Sequence, residues 1–189
     1  MRQETKRLAT MTVLLGFFVI MLDTTIVNVS LAHIGKDLHG TTASLQWVVD
    51  AYTLSFAALL LSAGTACDRL GSQRIYLFGL ILFALFSIAC ALSPSMEILI
   101  SARALQGVGA AMVVPSSLAL ISEMYSDHKE RAKIIGLWGA AGGIAAALGP
   151  IIGGALVSTT GWRAAFWVNI PIIAVLAILT ISFIRRRVP

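Results

Sequence analysis

Six apolar runs of roughly 20 residues, each long enough to cross about 30 Å of hydrocarbon, follow one another along this chain and use nearly all of it. The runs predict helices over Leu8–Leu31, Leu45–Ala66, Ile75–Ser93, Ile98–Ile121, Ile134–Val157 and Ala165–Ile184. The connections between them are short, which forces neighbouring helices to run antiparallel and gathers them into one bundle. The expected fold is an all-α membrane protein, a single six-helix transmembrane bundle over residues 1–189 with no separate soluble domain.

Composition agrees on the solvent. Soluble domains carry roughly a quarter charged residues; this chain has 12% charged and 58% hydrophobic residues, so it is built for lipid. A net charge of +5 could suggest nucleic acid, but the basic residues sit in short segments between apolar runs and are not interleaved with aromatics, so no nucleic-acid partner is expected. They act as topology signals instead. Arg2, Lys6, Arg7, Arg69, Arg74, Lys129, Arg131, Lys133 and Arg185 to Arg187 fall on one side, against Lys36 and Arg163 on the other. Both termini are therefore expected in the cytoplasm of a bacterium, with the chain multi-pass in its inner membrane. The first run is too long for a signal-peptide core and ends without a small-residue cleavage site, so it is read as a retained helix.

Charges inside the apolar runs carry the functional information, because each costs roughly 2.5–3.5 kcal/mol near the bilayer centre. Asp23 lies about 12 Å below the outer end of the first helix, and Asp50 and Arg103 about 8 Å below the outer ends of the second and fourth. An acid and a base at similar depth are cheaper together than apart, so Asp23 and Arg103 are expected to face a shared cavity. Desolvation there favours the neutral acid and the neighbouring Arg favours the carboxylate; shifting that balance moves a proton. A buried structural ion pair is the simpler alternative. Asp50, closer to the interface, can reach solvent. Thr24 and Asn28, one turn apart, either line the cavity or join helices.

The fifth helix holds Gly136, Gly139, Gly142, Gly143, Ala146, Gly149, Gly153 and Gly154, a small-residue stripe expected to let another helix approach closely. Pro150 within it predicts a kink. Asp127 and Glu130 predict an acidic cap close to a capping box. Cys67 and Cys90 are read as structural, and His33, His39 and His128 lie in loops without ligand-spaced partners, so no metal is expected. Zinc-protease, P-loop and nucleophile-elbow patterns are missing, which argues against an enzyme.

Four stretches together resemble the major facilitator superfamily, and within it the fourteen-helix drug:proton antiporter branch of EmrB/QacA-type exporters. Leu22 to Ala32 is similar to that branch's first-helix motif, with Asp23, Thr25 and Asn28 matching and Ser30 and Ala32 departing from the usual Ala and Pro. Gly64 to Arg74 resembles the loop motif G-x-L-a-D-R-x-G-r-k at Gly64, Asp68, Arg69 and Gly71, with Ser72 and Gln73 where basic residues are usual. Leu99 to Ala111 fits the proton-coupling motif of helix four through Arg103, Gln106, Gly107 and Gly109. Ala145 to Leu156 resembles the antiporter motif of helix five through Gly149, Pro150, Gly153 and Gly154.

The resemblance implies proton coupling through Asp23 and Arg103, and a cavity that Thr24, Asn28, Asp50 and Gln106 can line. It also implies a cytoplasmic gate at Gly64, Asp68, Arg69, Gly71 and Arg74, and a packed, kinked helix at Gly149, Pro150, Gly153 and Gly154. It implies no cofactor, a proton gradient as energy source, and alternating access between two six-helix bundles. The expected partners are the lipid bilayer, protons, a small-molecule substrate, and either a missing carboxy-terminal half or another copy, since the chain reads as a truncation. Multidrug export, export of one metabolite, and a non-transporting role by assembly are the three readings this leaves.

Overall fold

The computed structural model describes residues 3–184, which form helices throughout; Arg2 and the basic run Arg185 to Arg187 lie outside the described residues. The elements are α1 (Gln3–Asp37), α2 (Thr42–Leu70), α3 (Ser72–Ala91), α4 (Met96–Met124), α5 (His128–Thr160), α6 (Ala164–Trp167) and α7 (Asn169–Phe183). Taking α6 and α7 as one span, six helices are long and apolar enough to cross a membrane.

Most helices outrun the apolar runs that predict them. α1 has 35 residues, about 52 Å at 1.5 Å per residue, so its polar ends extend beyond a 30 Å hydrocarbon layer. Caps fix these longer ends. Thr41 accepts from the Ser44 amide at the start of α2, and Ser95 from that of Ile98 at the start of α4. Asp127 accepts from the Lys129 and Glu130 amides at 3.0 and 2.9 Å, the expected acidic cap of α5. Glu130 carries an ion pair to Lys6 on α1, 3.4 Å away.

The sixth predicted helix is divided at Val168. Pro171 has no N–H to give the carbonyl four residues back, yet Val168 keeps helical angles (φ −62°, ψ −28°). α5 and α4 run continuously through Pro150 and Pro115.

α4 packs between α2 and α3, while α1 packs against α5, α7 and α4. α1 and α4 are the most enclosed helices, with 61% and 56% of their most apolar windows buried, against 22% for α2 and 28% for α5. The two helices that carry the intramembrane ionic residues Asp23 and Arg103 are thus the two kept furthest from the surroundings.

The glycine stripe of α5 is not one interface, as expected, but two faces. Gly142 lies against Phe17, Gly149 against Thr25 and Gly153 against Ile26, all on α1, whereas Gly136, Gly139, Gly143 and Gly154 have open space where a side chain would grow. Helical geometry explains the split: at about 100° per residue, Gly153 lies roughly 40° from Gly149, and Gly154 about 140° away. Gly154 therefore does not pack against α1, and Pro150 is exposed. Phe17 stacks on Trp138 with ring centroids 3.7 Å apart, extending the α1–α5 contact toward the basic end.

Candidate functional site

Arg103 on α4 and Asp23 on α1 meet in the bundle interior at 2.8 Å, with side chains 1% and 0% exposed. They are the only fully buried charged residues among the described ones. A desolvated charge survives when paired and hydrogen-bonded, and every neighbour here contributes. Arg103 Nη1 also donates to Gln106 Oε1 at 2.6 Å, and its Nε to the Val48 carbonyl of α2 at 3.3 Å. Its guanidinium lies over the Tyr52 ring, 4.1 Å from the centroid.

The Asp23 carboxylate accepts three bonds. Oδ2 takes the Arg103 bond, while Oδ1 accepts from Gln106 Nε2 at 3.2 Å and Asn169 Nδ2 at 2.7 Å. Both amides also donate to Ser87 Oγ on α3, at 2.8 and 3.3 Å. One network therefore joins α1, α2, α3, α4 and α7. Cys90, with its Sγ 3.6 Å from Gln106 Oε1, borders it. Any movement of the Asp23 or Arg103 side chain must rearrange bonds that tie five helices together.

Of the residues singled out for the cavity, Gln106 belongs to this network and three do not. Thr24 is half-buried and donates to the Ile20 carbonyl of its own helix at 3.2 Å. Asn28 is exposed on the bundle surface. Asp50 accepts from Gln46 on its own helix at 3.0 Å, because its place on α2 turns it away from α1 and α4. Asn169 and Ser87 are members the sequence reading passed over. An Asn inside an otherwise apolar span is the same signal that marks Asp23, and applying it to the sixth run would have found Asn169; a serine in such a run carries no comparable signal.

At the basic end, Gly71 ends α2 with φ 91°, a backbone conformation that favours glycine, and its N–H returns to the Cys67 carbonyl. Asp68, Arg69 and Arg74 are exposed and form no ion pair among the described residues. The inward contacts of this loop come from the two residues that depart from the family pattern. Ser72 donates to Glu123 on α4 at 2.6 Å, and Gln73 Nε2 donates to the Thr180 and Ile184 carbonyls at 3.2 and 2.8 Å, tying α3 to the end of α7. We expect Gln73→Leu to lower stability by about 1–3 kcal/mol, since it takes the Gln73 donor from the Ile184 carbonyl, while the Thr180 carbonyl keeps the Ile184 N–H. Arg74→Gln should stay within about 0.5 kcal/mol of wild type. Thermal unfolding of both variants in one detergent checks the contrast, and equal effects would contradict it.

Six helices long and apolar enough to cross a membrane close around a paired, buried acid and base. The match to known proteins is specific. The chain belongs to the major facilitator superfamily, whose model matches residues 13–189. It is 45% identical over 175 residues to the methylenomycin A resistance protein of Bacillus subtilis (strain 168), an alignment covering 93% of this chain and 37% of that protein. It is 45% identical over 172 residues to the multidrug resistance protein Stp of Mycobacterium tuberculosis (strain CDC 1551 / Oshkosh), covering 91% and 32%. A crystal structure of the peptide transporter POT in complex with sulfate shares the fold, with a TM-score of 0.80 at 15% identity over 92% of this chain and 37% of that one. The chain thus spans about a third of the length of the curated relatives it matches.

Proposed function

We propose that this bundle works in proton-coupled export of drugs or other small amphipathic compounds across a bacterial cytoplasmic membrane, with both termini on the cytoplasmic side. The observation that carries the reading is the Asp23–Arg103 pair, an ionisable acid and a fixed cation enclosed in an apolar bundle and wired to four helices besides α1. Intramembrane ionisable residues of this kind mark proton and substrate pathways. Relatives named for methylenomycin A resistance and multidrug resistance support export, and the basic loops support the orientation.

In this mechanism a proton reaching Asp23 cancels its attraction for Arg103, frees the guanidinium to re-pair, and lets the helices joined by the network shift. The turn between α2 and α3 latches the cytoplasmic side, and α5 moves as a close-packed partner of α1. Alternating access needs a second bundle facing this one, supplied by a further segment or by another chain. Export of one compound is the second reading, favoured by the relative whose name specifies a single antibiotic.

The test is drug-dependent proton flux in proteoliposomes that hold the chain with a complementary bundle. Asp23→Asn, which keeps the shape and removes the titrating group, is expected to abolish the flux. Flux that survives this substitution, or fails to arise in the wild type, would sink the coupling role. A response to one compound alone among many would select the second reading.

A further inference from the structure

α1 and α5 end at the same corner of the bundle, and the turn after α5 is folded back onto α1. Gly161 closes α5 with φ 89°, in the left-handed region that favours glycine, and brings Trp162 and Arg163 to Asp37. Both donate to one carboxylate oxygen: Trp162 Nε1 to Oδ2 at 2.9 Å and Arg163 Nη1 to Oδ2 at 2.6 Å. Arg163 Nη2 donates to the Ser93 carbonyl at 3.3 Å, and the guanidinium lies 4.3 Å from the Trp162 ring centroid. This clasp holds the end of α1 to the turns before α4 and α6. Beside it lies a cleft of about 440 Å³, within the size range of small-ligand sites.

His33, Lys36 and Asp37 lie at helical spacing on α1 and form one wall of the cleft; Thr160 and Arg163 form the other. Among the described residues Lys36 has no ion-pair partner, and neither His33 nor Asp37 Oδ1 has a hydrogen-bond partner. The charges nearly balance. Lys36 and Arg163 stand against Asp37 and against the C-terminal ends of α1 and α5, each end worth about half a negative charge. A plain anion gains little where the sum is close to zero. A zwitterion gains at both of its ends, because donors and acceptors stand apart on the walls of the same cleft.

We propose that this cleft binds a phospholipid whose headgroup joins a phosphate to a primary ammonium, as in phosphatidylethanolamine. Lys36 and His33 donate to the phosphate, and the open oxygen of Asp37, Oδ1, accepts from the ammonium. Trp167 favours a lipid over a soluble phosphate compound. It is 44% exposed and lies one helical turn from Arg163, whose carbonyl takes its N–H at 3.2 Å, so an indole of the kind that settles at headgroup level flanks the cleft on its apolar side. Asp37 lies about 21 Å along α1 from Asp23 at 1.5 Å per residue, so the site is separate from the buried pair and needs no part of the transport cycle.

Native mass spectrometry of the chain in detergent micelles, titrated with phosphatidylethanolamine, phosphatidylcholine or phosphatidylglycerol, reads the affinity for each lipid. Phosphatidylcholine keeps the charge of the ammonium but has no N–H to give Asp37, and it should bind about tenfold more weakly than phosphatidylethanolamine, the equivalent of one hydrogen bond. Lys36→Gln should weaken phosphatidylethanolamine binding by a similar factor, while Lys129→Gln, an exposed lysine at the other end of the bundle, should leave it unchanged. Lys36 touches no other described side chain through a hydrogen bond or ion pair, so the fold is not at stake in that variant. Equal binding of the ethanolamine and choline lipids overturns the proposal, as does tighter binding of phosphatidylglycerol, which marks a plain anion site. Equal losses in the two lysine variants overturn it too, by showing diffuse attraction of charge. Soluble phosphoethanolamine that binds as tightly as the lipid assigns the cleft to a soluble compound and overturns the lipid as its occupant.

Discussion

Replacing Arg103 with methionine is expected to lower the unfolding free energy of the bundle by about 3–5 kcal/mol, the cost of leaving a buried charge without its partner. The side chain is 1% exposed and supplies one of the three bonds that Asp23 accepts, so neither water nor a nearby cation can take its place. The double variant Asp23→Leu, Arg103→Met should recover about half of that loss or more, because well-packed apolar pairs often match buried ion pairs in stability. The geometry explains why the network would tolerate it: Gln106 and Asn169 both keep Ser87 as an acceptor after Asp23 is gone. Unfolding in mixed detergent micelles measures Arg103→Met, Asp23→Leu and the double variant. Additive losses in the double variant would show that the two charges carry no coupling energy and that the site is held by packing alone.

The second large effect is steric. On α4, Gly107 and Gly109 are two positions apart and so face nearly opposite ways. A Cβ at Gly107 would overlap Ser55 Oγ and the Tyr52 carbonyl of α2; one at Gly109 would lie 2.7 Å from the Phe83 amide nitrogen and 3.0 Å from the Gly79 carbonyl of α3. Backbone cannot move aside as a flexible side chain can. Gly107→Val and Gly109→Val are each expected to cost about 3 kcal/mol or more, the upper end of overpacking penalties. Gly143→Ala, where a Cβ meets nothing within 4 Å, should be neutral or mildly stabilising. Equal losses at all three positions in the same unfolding assay would mean that glycine flexibility, rather than close approach of α2 and α3, is what these positions supply.

The number of spans and the pairing of Asp23 with Arg103 were legible in the sequence for one reason. Lipid makes exposed polar groups so costly that each departure from apolar composition reports on position. Gln106 was legible through the motif around Arg103. Asn169 carries the same signal as Asp23, a polar residue in an apolar run; Ser87 carries none, because it is an ordinary residue in a membrane helix and acquires its role only when α3, α4 and α7 are brought together. Most helix ends were hidden, since hydropathy marks the hydrocarbon layer while Thr41 and Ser95 cap α2 and α4 beyond the apolar runs; the acidic cap at Asp127 was the exception. The glycines of α5 gave a true signal for close approach but not its direction. Only Gly142, Gly149 and Gly153 meet α1, and periodicity alone could not say which of two faces would be covered. The loop motif misled in an instructive way: Ser72 and Gln73 read as losses of charge, yet they are the residues that hold the loop to α4 and α7.

One acid and one base enclosed together have a sum of zero, and a neutral object feels no force from a transmembrane voltage. A single proton on the acid turns the same enclosure into a monocation. A unit charge that crosses the whole field gains or loses about 2.3 kcal/mol per 100 mV. In the proposed proton-coupled cycle, the pairing of Asp23 with Arg103 would leave this site without net charge in one protonation state and with one positive charge in the other, so that the electrical and chemical parts of an ion gradient would act on different states of the same site.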